Sequence, residues 1–484
     1  MNQPVTIAQA RLVLNEPHDC TDSNDELTIY HAVFDTLVRR VGQEFVPHLA
    51  RRWDLSADAR TWTFHLHPGV RFHDGTPCDA DAVRQSLIRM ARQDKGYTLG
   101  APAVWRQYLG GAEISTPDAE TVVIRLADPM ADLLDVLEQG FIVAPSSFPA
   151  HDAGQHDRPV GSGPYRIISA NVDEVRATRV EGHFAGTAGN AALVWRREPD
   201  PAKRLALLQS GAVQVANALD FHASKALEGS AASRHEYLSP VAIIYLLNAA
   251  RGPLTDARVR RALSLALDRP KLIADVVNGA ARPLLGFVSP AHFGAGSGAG
   301  AAQDLNAARA LLAEAGHGDG LTLEVDCPTR LPDEAERLTA ALGDQLAQIG
   351  VQLNVHLHPD REAYAHMVRR KEIRDLCVFD SSPMSTFRVL FEKIDARVKG
   401  AWWQGYHNPV VEALIDEGRV TPDRQARAAI FAKAYAELQR DPPWLTLYNP
   451  IRVIGLAGAH PGFTMPADGV IDAARLPKIG GARG

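Results

Sequence analysis

The strongest constraint on this chain is a regular alternation of helix and strand in its third quarter. Leu305–Glu314 has helical apolar spacing and leads to an extended run, Leu321–Asp326. Glu334–Gln348 is helical again and leads to Val351–His356. Helices and strands alternating at this spacing build a parallel sheet covered by helices, so the region reads as an α/β lobe. One core rarely grows past ~250–300 residues, so a chain of 484 residues is expected to divide into two or three lobes. Hydrophobic residues at 46% and charged residues at 22% exclude a disordered chain, a coiled coil and a collagen-like fibre. The net charge of −6 argues against nucleic acid as the main partner. No apolar stretch is long enough to read as a membrane-spanning helix.

The remaining elements are shorter. Residues 5–14 read as a strand running into a polar loop, Asn15–Glu26, and residues 27–40 place Leu27, Tyr30, Val33, Phe34, Leu37 and Val38 at helical spacing. Thr61–Leu66 alternates with period two and, after Pro68-Gly69, Val70–Phe72 reads as its hairpin partner. A helix is expected from about Asp79, and a strand pair at Ala112–Ser115 and Thr121–Leu126. After the turn Gly161-Ser162-Gly163-Pro164, strand, helix and strand recur at Ala192–Arg197, Pro201–Ser210 and Val213–Ala216.

Catalytic signatures are missing. Neither a P-loop, a GxGxxG, a GxSxG elbow nor an HExxH helix occurs. Ser162 sits between glycines, but the proline that follows disfavours a nucleophile elbow, and a tight turn is the simpler reading. The pairs His65/His67 and His356/His358 have strand spacing for joint metal ligation, yet His65 and His67 fall in the polar phase of their strand. Cys20, Cys78, Cys327 and Cys377 form no CxxC pair; free thiols are expected, with one disulfide as the alternative in an exported chain. Aromatic and polar residues instead gather in loops: Trp402, Trp403 and Tyr406 in one, Asp380-Ser381-Ser382-Pro383 in another.

Several segments together resemble the extracytoplasmic solute-binding proteins of ABC importers, in the family that takes dipeptides, oligopeptides and nickel chelates. Pro47–Trp53 and Trp62–Pro77, with Ala80–Val83, look like the family signature of an inserted lobe. Gly161-Ser-Gly-Pro-Tyr165 is similar to the family's GTGPY, and Arg204–Val213 to its R-x-x-x-L-x-x-G-x-V element. Asn248, Pro253–Leu263 and Ala266–Asp268 resemble the entry to the last lobe; Tyr406–Asp416 and Asp441–Tyr448 resemble the closing section.

This resemblance implies an α/β, two-lobed periplasmic-binding-protein-like (type II) fold with an extra inserted domain and mixed sheets flanked by helices. Lobe I is expected from residues 1–30, 155–245 and 451–484, lobe II from 31–154 and lobe III from 246–450. Function would be capture of a peptide or peptide-like solute in an interlobe cleft, by hinge closure, and delivery to a membrane permease. No covalent chemistry, cofactor, metal or nucleic acid is called for, and a monomer is expected. The N-terminus lacks a basic and an apolar leader segment, so either the chain is cytoplasmic or it is a mature periplasmic chain. Expected solute-binding residues are Asp22, Trp105, Tyr245, Asp380, Ser381, Ser382, Trp402, Trp403 and Tyr406. Asp380 stands three residues before Pro383, where peptide binders of the family often have an Asp four before a Pro. Phe141 stands where nickel-chelate binders carry an Arg, which argues against an anionic metal chelate. The alternatives are a hydrolase built around Asp380 and Ser381, a binder of an opine, sugar or metal chelate, and a chaperone using the same fold.

Overall fold

The computed structural model describes residues 3–19, 23–92, 94, 101–296, 302–330, 332–381, 385, 388–400 and 402–479. Two units pack separately: Met1–Tyr237 with Arg452–Gly484, and Leu238–Ile451. Among the described residues no helix is long and apolar enough to cross a membrane.

The alternation read from sequence is the frame of the second unit. Strand Leu321–Pro328 runs parallel to Val351–His358 over its whole length, Leu321 facing Val351 and Pro328 facing His358, and parallel to Leu376–Asp380 on its other side. The sheet continues through Ile243–Leu247, antiparallel to Leu376–Asp380, to the first half of Trp444–Ala457. Helices Leu305–Glu314, Ala335–Ala347 and Arg361–Arg369 link these strands. Two of them start where an aspartate takes over an orphaned helix amide: Asp304 accepts from Ala307 N at 2.9 Å, and Asp360 accepts from Glu362 N and Ala363 N. One apolar cluster, including Tyr245, Leu263, Leu312, Val325, Leu342 and Leu445, seals the contacts of helices with sheet.

In the first unit the main sheet runs Val215–Leu219, Val5–Gln9, Ala192–Arg197, Glu174–Arg179, Tyr165–Ala170. Val5–Gln9 is parallel to both of its neighbours, and Val453–Leu456 adds an antiparallel edge beside Val215–Leu219. A separate antiparallel sheet orders Ala50–Leu55, Thr61–Leu66, Thr121–Arg125 and Glu113–Asp118. The period-two reading of Thr61–Leu66 holds, with Trp62, Phe64 and Leu66 buried. Its partners differ from the local hairpin: it pairs with Ala50–Leu55 and Thr121–Arg125, while residues 70–72 make only a bridge from Arg71 to Pro77.

The helix read over 27–40 is also shorter. It spans Asn24–Val33, and Val38–Val41 is a strand. A distant segment decides this end. Gly163 N donates to Val33 O at 2.9 Å, and a Cβ on Gly161 would lie 2.1 Å from the same oxygen. The glycines of Gly161-Ser-Gly-Pro-Tyr165 therefore serve close approach of two backbones. Cys78, Cys327 and Cys377 are free and buried; Cys20 lies outside the described residues.

Candidate functional site

In open α/β sheets, solutes are bound beyond the carboxyl ends of the parallel strands, where helix N-termini and loops present unsatisfied polar groups. Each unit has such an edge. In the second unit the strands Leu321–Pro328, Val351–His358 and Leu376–Asp380 end together, with helix Arg361–Arg369 starting just after the second of them.

Asp380 closes its strand with an exposed side chain. The next residue is locked in place: Ser381 N donates to Ala242 O at 2.8 Å, and Ala242 N donates back to Ser381 Oγ at 2.8 Å. Before Asp380, Phe379 packs on Trp402, ring centroids 4.5 Å apart. The guanidinium of Arg361 lies 5.1 Å over the Phe379 ring and 5.8 Å from that of Tyr364. No carboxylate pairs with Arg361 among the described residues, and its buried Nε has no hydrogen-bond partner. This edge thus carries an exposed carboxylate and a cation that has no carboxylate partner among the described residues and lies over buried aromatic rings.

Trp403 and Tyr406 stand in the same loop as Trp402. Trp403 Nε1 donates to Tyr406 O at 2.6 Å, which fixes the turn, and Lys399 lies over the Trp403 ring. Gly405 between them has φ +87°, and a Cβ there would meet Ala250 N at 2.3 Å. The Tyr406 ring is buried beside Arg260, and burial pushes its phenol well up. Tyr245 sits inside the sheet rather than at its edge: it is fully buried, its hydroxyl is 2.8 Å from Thr339 Oγ1, and burial raises its pKa. Its packing accounts for it without a solute. Ser382 lies outside the described residues, as does Asp22 in the other unit.

In the first unit the carboxyl end of Val5–Gln9 leads into the polar loop. Here Glu16 takes a two-pronged ion pair from Arg89, at 2.8 and 2.7 Å, and Arg89 also reaches Asp152 at 2.6 Å. Burial pulls the Arg89 pKa down, but the two carboxylates outweigh it and the net shift is upward. His18 is held by Phe141 O and Ser86 Oγ. Trp105 is enclosed, and its Nε1 donates to His18 O at 2.9 Å, so it anchors this loop. A cavity of about 760 Å³ lies elsewhere in the unit, between His31, Arg39, Glu138, Phe463, Asp468 and Arg475. None of the seven described residues among those expected from sequence lines it.

Sequence reasoning missed Arg361 and the Glu16–Arg89 pair. For Arg361 the signal was present: it opens a helix directly after a parallel strand, behind the capping residue Asp360. Glu16 and Arg89 are far apart in sequence, and nothing local connects them.

Comparison with known proteins agrees with this architecture. The family model for bacterial extracellular solute-binding proteins, family 5 Middle, matches residues 44–382. The glutathione-binding protein GsiB of Pectobacterium atrosepticum is 27% identical over 459 residues, covering 89% of this chain and 85% of that protein. HbpA2 from Haemophilus parasuis superimposes with a TM-score of 0.83 at 21% identity, over 96% of this chain and 98% of that one. The periplasmic binding protein DppA from Helicobacter pylori, in complex with the peptide STSA, gives 0.77 at 21%, over 94% and 93%. A family match of that length, on a type II binding-protein fold, makes this chain a member of the bacterial extracellular solute-binding proteins of family 5, the solute-capturing components of ABC importers.

Proposed function

We propose that the chain binds a short, zwitterionic peptide-like solute outside the cytoplasm and passes it unchanged to a membrane permease. One observation carries this reading. At the carboxyl edge of the second unit's parallel strands, Asp380 is exposed, and Arg361, which has no carboxylate partner among the described residues, lies over the ring of Phe379, itself packed on Trp402. A buried or half-buried cation without a counter-ion is costly, and a solute carboxylate would offset that cost. A solute ammonium would make a charge-assisted bond to the exposed carboxylate of Asp380. A small γ- or α-linked peptide carries both groups, and the named solute of GsiB, glutathione, belongs to this class.

The hydrolase alternative has less support. Among the described residues, the side-chain hydrogen bond of Ser381 is the one accepted from Ala242 N, and no imidazole is bonded to it. A nucleophile needs a base within reach.

Calorimetric titration with glutathione, a dipeptide panel and a sugar tests the proposal, with mass spectrometry of the recovered solute. We expect saturable binding of a peptide-class solute and its recovery intact. Asp380→Asn and Arg361→Gln should each weaken it ~10- to 150-fold, the equivalent of a charge-assisted bond worth ~1.5–3 kcal/mol, with the unliganded melting temperature nearly unchanged. Affinities unchanged within about twofold in both variants would remove this site, and turnover of any panel peptide would remove the binding-only reading.

A further inference from the structure

The cavity of about 760 Å³ in the first unit plays no part in the solute edge of the second. It is lined by the end of helix Asn24–Val33, by strand Val38–Val41 and by the C-terminal stretch from Ala459 to Pro477. Its size falls in the range of small-molecule sites, roughly 300–1,000 Å³. Half-buried Phe463 and Met465, exposed Val41 and buried Val470 and Ile471 give it apolar walls. The C-terminal stretch is fixed in place. Asn24 Nδ2 donates to Gly469 O at 3.3 Å, and Gly469 has a left-handed φ of +75°, with room for no Cβ beside the Tyr237 ring, 2.8 Å away.

Most charges on these walls are neutralised where they stand. Arg40 Nε and Nη2 donate to the two oxygens of Glu138, each at 2.8 Å, and Nη2 also reaches Asp135. Arg475 lies 3.4 Å from Asp472. Two charges are left over. Arg39 gives one hydrogen from each terminal nitrogen to His31, one to Nδ1 and one to the backbone O, and no carboxylate pairs with it among the described residues. Burial, ahead of the Arg39 charge, holds His31 well below the ordinary imidazole range, so the ring is neutral and leaves the guanidinium uncompensated. Asp468 accepts from Val470 N at 2.9 Å through one oxygen; among the described residues its other oxygen has no hydrogen bond and no cation pairs with it. Burial raises the Asp468 pKa, although the Val470 amide and the charges of Arg40 and Arg39 pull it down. A cation and an anion thus line one cavity without pairing with each other, and each is costly to keep out of water alone.

We propose that this cavity binds a small zwitterion with an apolar body, the chemistry of an apolar amino acid, its carboxylate on Arg39 and its ammonium on Asp468, as a site distinct from the solute edge of the second unit. The groups needed are open to a ligand. Each terminal nitrogen of Arg39 carries a second hydrogen beyond the one given to His31, and Asp468 keeps its second oxygen. The apolar body lies against Phe463 and Met465. A ligand with one charge satisfies one wall and leaves the other unpaired, so both charges are required.

Calorimetric titration of the full chain with L-phenylalanine, 3-phenylpropionate and 2-phenylethylamine tests this, since the second lacks the ammonium and the third the carboxylate. One saturable equivalent of phenylalanine is expected, bound at least about tenfold more tightly than either analogue. Arg39→Gln and Asp468→Asn should each weaken it by about tenfold or more. The asparagine keeps an oxygen for Val470 N, and Arg39→Met serves if the glutamine variant does not fold. Hydrogen exchange locates the site: phenylalanine should slow exchange in Val38–Val41 and in residues 463–472, and leave Leu376–Asp380 unchanged. No saturable equivalent, analogues within about twofold of phenylalanine, or either charge variant within about twofold of the unaltered chain would overturn the site. Protection confined to Leu376–Asp380 would also overturn it, by moving the binding to the second unit's edge.

Discussion

Each unit buries a carboxylate completely, and the two are held in opposite ways. In the first unit Asp35 accepts from Ser162 Oγ at 2.8 Å and faces His48 Nε2 at 2.7 Å and His183 Nε2 at 3.3 Å. In the second, Asp326 accepts from the backbone N of Arg374 at 2.7 Å and from its guanidinium, and faces His358 Nε2 at 2.8 Å. Burial alone would push the Asp35 carboxyl up; the two imidazoles more than reverse this, and it sits well below the usual carboxylate range. Asp35 therefore depends on two imidazoles and a hydroxyl, whereas Asp326 keeps a permanent cation. The Asp326 partner also has a way out, since the side chain of Arg374 is 40% exposed, while that of His183 is 4% exposed.

Removing each carboxylate gives the widest separation between the two arrangements. Asp35→Ala should cost about 3–5 kcal/mol, because three enclosed donors lose their acceptor together. Asp326→Ala should cost about 1–3 kcal/mol, because Arg374 can turn to water. Urea unfolding, followed by hydrogen exchange in each unit, measures both; equal losses would break the contrast.

Backbone packing sharpens it next. Gly161→Ala in the first unit and Gly405→Ala in the second both press a Cβ onto backbone, at 2.1 Å from Val33 O and 2.3 Å from Ala250 N. Overpacking of this kind costs about 1–3 kcal/mol. Gly405 also has a left-handed φ, which adds about 1 kcal/mol for alanine, so its variant should melt lower than Gly161→Ala.

The smallest effect is the pH dependence. In the first unit, burial, ahead of the other influences, holds His31, His48 and His73 below the ordinary imidazole range. The unfolded chain takes up protons below about pH 6.5 that these folded histidines refuse. Their contribution is thus complete above that pH and is lost as pH falls toward their folded values; the Asp35 contribution follows only below its unfolded value of 3.8. At pH 6 the first unit should have lost roughly 1–2 kcal/mol relative to pH 8. Exchange of the segment from His31 to His48 should then rise more than that of Leu321–Pro328. A greater rise in Leu321–Pro328 would reverse the assignment.

The buried-charge contrast was not legible in the sequence. Asp35, His48 and His183 come from three separate segments, and each alone reads as an ordinary polar residue. The expected site shows the same division. Asp380, Ser381 and Trp402 fall at or beside a strand end, where sequence placed polar loops. Tyr245 was read as a cleft residue, yet an aromatic on an all-buried strand carries no sign of which layer it faces. The helix expected through residue 40 failed because a segment more than a hundred residues away claims the Val33 carbonyl.

By itself the sequence determined what short-range physics controls. The period of apolar residues fixed the parallel frame of Leu321–Pro328 and Val351–His358, aspartates marked where helices begin, and ordered motifs marked the family. Tertiary structure alone decided which strands became neighbours of Thr61–Leu66, where helix Asn24–Val33 stopped, and which partner each buried charge acquired. The physical reason is range. Propensity and capping act within a few residues, whereas desolvating a carboxylate or closing two backbones to contact depends on whatever remote segment fills the space. Arg361 beside Phe379 and Arg39 in one cavity with Asp468 are both products of that second kind.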